Sequence, residues 1–136
     1  MEIIEGKMPF MGYETYYRIV GKRSEKPPLI LLHGGPGSTH NYFEVLDKLA
    51  EIDDRRIIMY DQLGCGNSSI PDDHPELYNK ETWVKELKAL REHLALRKIH
   101  LLGQSWGGML AIIYMCDYHP EGIQSVILSS TRTTAT

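Results

Sequence analysis

Leu101-Leu102-Gly103-Gln104-Ser105-Trp106-Gly107-Gly108 is the stretch whose reading decides the fold. The apolar run Ile99 to Leu102 before it reads as a buried strand. The run stops at a glycine, presents one serine, and passes through two further glycines into a long apolar helix, Trp106 to Tyr118, stopped by His119-Pro120. This is a G-x-S-x-G pattern in the strand–turn–helix setting that makes it a nucleophile elbow. The serine sits in a strained turn, and its neighbours must be small because strand and helix pass close together there. The helix start also aims free N–H groups and the positive dipole end at the hydroxyl, where an oxyanion would form. A glycine-rich turn that merely holds a serine is the alternative, and the strand–helix context weighs against it.

Upstream, Leu29-Ile30-Leu31-Leu32 is a continuous apolar strand of the kind buried on both faces of a parallel sheet, and it runs into His33-Gly34-Gly35-Pro36-Gly37. Asn41 to Leu49 has helical spacing. Arg56 to Tyr60 is another strand, ending in the turn Asp61-Gln62-Leu63-Gly64-Cys65-Gly66-Asn67-Ser68. Ile70 to Asn79 is loop, Thr82 to Leu96 a helix with its apolar stripe on Trp83, Val84, Leu87, Leu90 and Leu94, and Lys98 to Leu102 the elbow strand. Gln124 to Leu128 is the last strand. At the other end, Glu2–Met8 and Tyr13–Val20 flank Pro9-Phe10-Met11-Gly12 as an antiparallel hairpin.

Strand and helix alternate after the hairpin, so the expected class is α/β with a mostly parallel sheet and helices on both faces. One domain is expected over 1–136, with a hairpin in 1–21 and alternating units in 29–130. Ligand sites of such sheets lie beyond the carboxyl ends of the strands, and all three glycine-rich turns fall on that rim.

Composition narrows the classes. With 136 residues, 42% of them hydrophobic, the chain can bury one core. A net charge of −3 gives no argument for nucleic acid or an anionic membrane as partner. Cys65 and Cys116 form no CxxC or Cys/His cluster, so neither a zinc site nor a disulfide framework is indicated. Cys116 falls on the apolar helix and is expected in the core. Cys65, on the rim, is either a sensitive thiol or a small buried residue. Met1-Glu2-Ile3-Ile4-Glu5 lacks the pattern of a signal peptide, and no run is long enough to span a membrane, which makes cytoplasmic the expected location.

Taken together and in this order, the HGGPG turn at 33–37, the DQLGCGNS turn at 61–68 and the GQSWGG elbow at 103–108 resemble those of the proline iminopeptidases, serine aminopeptidases of the α/β-hydrolase superfamily. The resemblance covers essentially the whole chain but only the N-terminal half of such an enzyme. It implies an α/β-hydrolase core of which about six of eight strands are present, with the cap and C-terminal core missing. It implies Ser105 as the nucleophile on the carbonyl of an N-terminal proline, and backbone N–H groups of Gly35 and Trp106 as the oxyanion hole. His33, Gly34, Pro36, Gly37, Asp61, Gln104 and Gly107 then belong to supporting turns. Asp61 is expected to tie its own turn through side-chain-to-backbone hydrogen bonds. The indole of Trp106 either lines the pocket or packs in the core. The implied partner is a peptide with an N-terminal proline, with no metal and no cofactor. Oligomeric state is left open, and some family members are linked to the cell envelope.

A serine nucleophile needs a base oriented by an acid, and in this fold the order is Ser, then Asp or Glu, then His. After Ser105 the only histidine is His119, roughly 21 Å along the helix. His100 lies some 16 Å back along the strand. Neither reaches, so the triad acid and histidine are expected outside this chain. The rival readings are an esterase of the same fold, an epoxide hydrolase (disfavoured because those carry Asp at the nucleophile position), and a non-catalytic truncated protein.

Overall fold

The computed structural model describes residues 2–33 and 40–129, without side chains for 40–46. Six strands form one sheet in the order β1-β2-β4-β3-β5-β6. β1 (Ile3–Phe10) and β2 (Tyr13–Val20) are the hairpin. β3 (Leu29–Leu32), β4 (Ile57–Tyr60), β5 (Ile99–Gln104) and β6 (Ile123–Ser129) run parallel to one another, and β2 joins β4 antiparallel. The helices are α1 (His40–Asp53), α2 (Lys80–His93) and α3 (Trp106–Tyr118).

The expected elements all form; β2, β3 and α3 keep the expected bounds, and the others shift at their ends. β1 continues through Pro9 and Phe10, which were expected in the turn, so the turn proper is Met11-Gly12. Both turn residues have positive φ, 49° and 82°, as a two-residue hairpin loop requires. Pro9 is tolerated because β1 is an edge strand. α1 runs four residues past Leu49, and a short 3-10 turn at Pro75–Leu77 interrupts the loop before α2. α2 begins where the Asn79 side chain accepts from the Thr82 N–H at 2.8 Å, the cap that fixes its first turn.

Alternation along the parallel strands builds two cores. Ile30, Leu32, Ile58, Tyr60, Ile99 and Leu101 face α2 and α3, meeting Val84, Leu87, Leu90, Leu110, Ala111 and Tyr114. Leu29, Leu31, Ile57 and Met59 face the other way and pack with Val20 and Ala50 of α1. Burying each large side chain this fully contributes about 1.5–3 kcal/mol. Arg18 of β2 grips Asp47 of α1 through two hydrogen bonds, 2.8 and 2.9 Å.

Cys116 is exposed, against expectation. The buried stripe of α3 is Gly107, Gly108, Leu110, Ala111 and Tyr114, and at 100° per residue Cys116 falls about half a turn away from it. An apolar helix can bury only the face turned to the sheet. Cys65 is half-buried, and burial pushes its thiol up, followed by the neighbouring Asp61 and Glu86 carboxylates.

α3 lies unusually close to the sheet. A Cβ on Gly107 would stand 1.8 Å from the Leu32 carbonyl oxygen, and one on Gly103 would stand 2.5 Å from the Gly107 oxygen. Both obstacles are backbone and cannot swing aside. Gly107→Ala should therefore destabilise the fold by about 2 kcal/mol or more, read from denaturant unfolding. An unchanged midpoint would mean α3 does not sit where it is described.

The core also contains a carboxyl. Glu86 of α2 is fully buried, and desolvation raises it from the ordinary 4.5 to about 7, against the lowering effect of its hydrogen bonds from Thr15 and the Leu63 N–H. Between those values the folded state holds a proton that the unfolded state has released. The contribution is therefore fully present below the unfolded value and is lost as pH rises through about 7. That is worth on the order of 3 kcal/mol. His100, pushed down by burial, acts in the opposite sense as it loses its proton. Unfolding free energy measured from about pH 5 to about pH 8 should fall in the wild type by more than in Glu86→Gln, the difference isolating Glu86.

Candidate active site

Ser105 sits between β5 and α3 with φ 54° and ψ −116°, a backbone that non-glycine residues rarely adopt. The conformation is held from both sides. The Ser105 N–H donates to the Ser129 carbonyl of β6 at 2.9 Å, and its own carbonyl accepts from Gly108 at 3.0 Å. The side chain is left exposed at the carboxyl end of the parallel strands. Trp106 is the first residue of α3, where a backbone N–H has no carbonyl one turn back to donate to. Gln104 closes β5, paired with Ser129, and is half-buried.

The second turn is tied into this elbow by Gln62, which sequence reasoning quoted but gave no role. Its side chain is 2% exposed. Its Nε2 donates to the His33 carbonyl at 2.9 Å, and its Oε1 accepts from the Trp106 indole Nε1 at 3.1 Å. Its backbone N–H donates to His33 Nε2 at 3.1 Å. One residue thus joins the ends of β3, β4 and β5. The Nε2 lone pair of His33 is already used as an acceptor and cannot at the same time take the proton of Ser105. Gly34, Gly35, Pro36 and Gly37, which follow His33, lie outside the described residues.

Asp61 accepts from the Asn67 N–H at 2.8 Å, and its carbonyl accepts from the Ser68 hydroxyl. Gly66, at φ 52°, lies where a Cβ would come 2.5 Å from Asp61 Oδ2. The turn is anchored to β2 by serine side chains. Ser68 Oγ accepts from the Tyr16 N–H at 2.8 Å, and Ser69 Oγ accepts from the Glu14 N–H at 2.9 Å. α2 holds it from the other side. Trp83 Nε1 donates to the Leu63 carbonyl at 3.0 Å, and the Leu63 N–H donates to Glu86 at 3.0 Å. The Trp83 and Trp106 rings meet edge to face at 5.7 Å. Glu86 was missed although a signal existed, since it lies on the Trp83–Leu87–Leu90 stripe of α2, where an acid is out of place.

His100 and His119 are not brought to Ser105. His100 Nδ1 pairs with Ser125 Oγ at 2.6 Å farther back along β5 and β6, and His119 ends α3 in the left-handed region, φ 45°. Among the described residues no group of three or more His, Cys, Asp and Glu is placed to hold a metal ion. No described helix is long and apolar enough to cross a membrane.

The chain resembles known proteins throughout its length. It is 92% identical over 135 residues to a proline iminopeptidase of Lactobacillus acidophilus, a match covering 99% of this chain and 46% of that protein. The chain spans less than half the length of the curated relatives it matches. Among solved structures, VinJ matches with TM-score 0.84 and 37% identity, over 94% of this chain and 44% of that one. A proline iminopeptidase of Mycobacterium smegmatis matches with TM-score 0.79 and 38% identity, over 90% and 42%. The profile of the alpha/beta hydrolase fold family matches residues 27–136. With the strand order, the elbow at Ser105 and this match in agreement, the chain belongs to the α/β-hydrolase fold family.

Proposed function

We propose that this chain carries the nucleophile half of a proline iminopeptidase. The observation that carries the reading is the geometry of Ser105, a serine held at φ 54° on the rim where the ends of three parallel strands are joined by Gln62. The similarity to proline iminopeptidases across the three turns supports the substrate class.

In this reading Ser105 Oγ attacks the carbonyl carbon of an N-terminal proline while its proton passes to a base. The resulting oxyanion is held by the backbone N–H groups of Trp106 and Gly35. Collapse breaks the C–N bond, the peptide amine leaves with a proton, and water then releases proline from the ester at Ser105. Each oxyanion donor in such a hole is typically worth about 10²–10³ in rate. His33, Gly34, Pro36, Gly37, Asp61, Gln104 and Gly107 hold the turns in this scheme. The acid and base come from residues beyond those described.

The test uses the protein isolated from its own cells. Its intact mass, labelling by a fluorophosphonate, and hydrolysis of a proline anilide and a simple acyl ester are measured. The expected result is labelling at Ser105, anilide cleavage faster than ester cleavage, and loss of about 10⁴-fold or more in kcat for Ser105→Ala. Faster ester cleavage would favour an esterase. A protein of 15.6 kDa with no labelling and no turnover would leave the motifs as ancestry without activity.

A further inference from the structure

Glu86 is a fully buried carboxyl that the reaction above does not use. Its oxygens are all spent on two anchors. Leu63 N–H lies 3.0 Å from both Oε1 and Oε2, and the Thr15 hydroxyl of β2 donates to Oε2. Tyr60 of β4 and Cys65 of the loop are the titratable groups that feel its charge. Among the described residues no Lys, Arg or His forms an ion pair with it. A carboxyl kept in an apolar core without a counter-charge costs stability that a leucine of similar size would not. What it supplies in return is an acceptor for the Thr15 hydroxyl and for one loop amide, and that amide is next to Gln62.

We propose that Glu86 is a positioning residue for the nucleophile turn, fixing the Leu63 amide so that Gln62 holds His33 and Trp106 in place. The path is short and continuous. Glu86 accepts from Leu63, the peptide bond carries the constraint to Gln62, and Gln62 binds the His33 carbonyl, the His33 ring and the Trp106 indole. Trp83, three residues before Glu86 on the same helix, takes the Leu63 carbonyl, so α2 grips both polar groups of one residue. Loss of the acceptor strands a buried N–H, which the loop relieves by moving toward solvent. The His33 and Trp106 contacts then move with it. The effect on catalysis rests on the serine-peptidase reading, whereas the effect on the loop does not.

Two variants separate the acceptor from the charge. Glu86→Gln keeps a carbonyl oxygen at the same reach, and Glu86→Asp keeps the carboxylate but withdraws it by one methylene. Both are made in the protein as isolated from its cells. Hydrogen exchange is followed on peptides covering residues 61–69, and kcat and KM are measured on a proline anilide. Glu86→Gln should stay within about twofold of wild type in all readouts. Glu86→Asp should exchange about tenfold faster in 61–69 but not in β3 or β5, and lose about ten- to a hundredfold in kcat with KM little changed. Unchanged exchange in Glu86→Asp, equal damage from both variants, or faster exchange throughout the chain overturns the proposal. If the wild type cleaves no anilide, the peptidase reading fails and the exchange data alone decide the positioning role.

Discussion

The backbone of α3 approaches β3 and β5 so closely that no side chain fits between them at Gly103 or Gly107. Everything at the rim follows from that clearance. Because the helix starts directly on the sheet, the chain must reverse from strand to helix within a single residue, and Ser105 takes the positive-φ backbone this requires. The strain is carried by the contacts on either side, the β6 ladder on one and the first turn of α3 on the other. A helix seated farther out would relax the turn and pull the hydroxyl into the connection.

The second constraint is polar. The ends of β3, β4 and β5 would splay into independent loops if only their apolar strands were packed. Gln62 prevents this by engaging two turns besides its own, and α2 supports Gln62 through Leu63. The buried carboxyl of Glu86 is therefore a cost in the core that is offset by order at the rim. Folding energy and site geometry meet at this one residue.

Apolar runs and turn residues made the architecture legible in the sequence. Leu29–Leu32 reads as a strand buried on both faces and Arg56–Tyr60 as a second strand, which forms from Ile57, and Trp106–Tyr118 matches its helix end to end because Ser105 and His119-Pro120 mark both boundaries. Pro9 and Phe10 carry the pattern of a turn but extend β1, because an edge strand accommodates the proline. Cys116 was misplaced because an apolar helix gives no hint of which face it turns to the sheet. The roles of Gln62 and Glu86 were illegible for a different reason. Each acts through partners far away in sequence, such as Gln62 on Trp106 and Glu86 on Thr15, and local pattern carries no record of them.

Trp83 and Trp106 are the two tryptophans of this chain, and both belong to the same small assembly. One indole donates to Leu63, the other to Gln62, and their rings touch edge to face. Indole fluorescence, excited to the red of the band of the eight tyrosines, therefore arises beside the Ser105 turn. Whatever displaces the Asp61–Ser69 turn changes the polarity around both indoles at once, so the protein carries its own chromophoric gauge of whether the site is assembled.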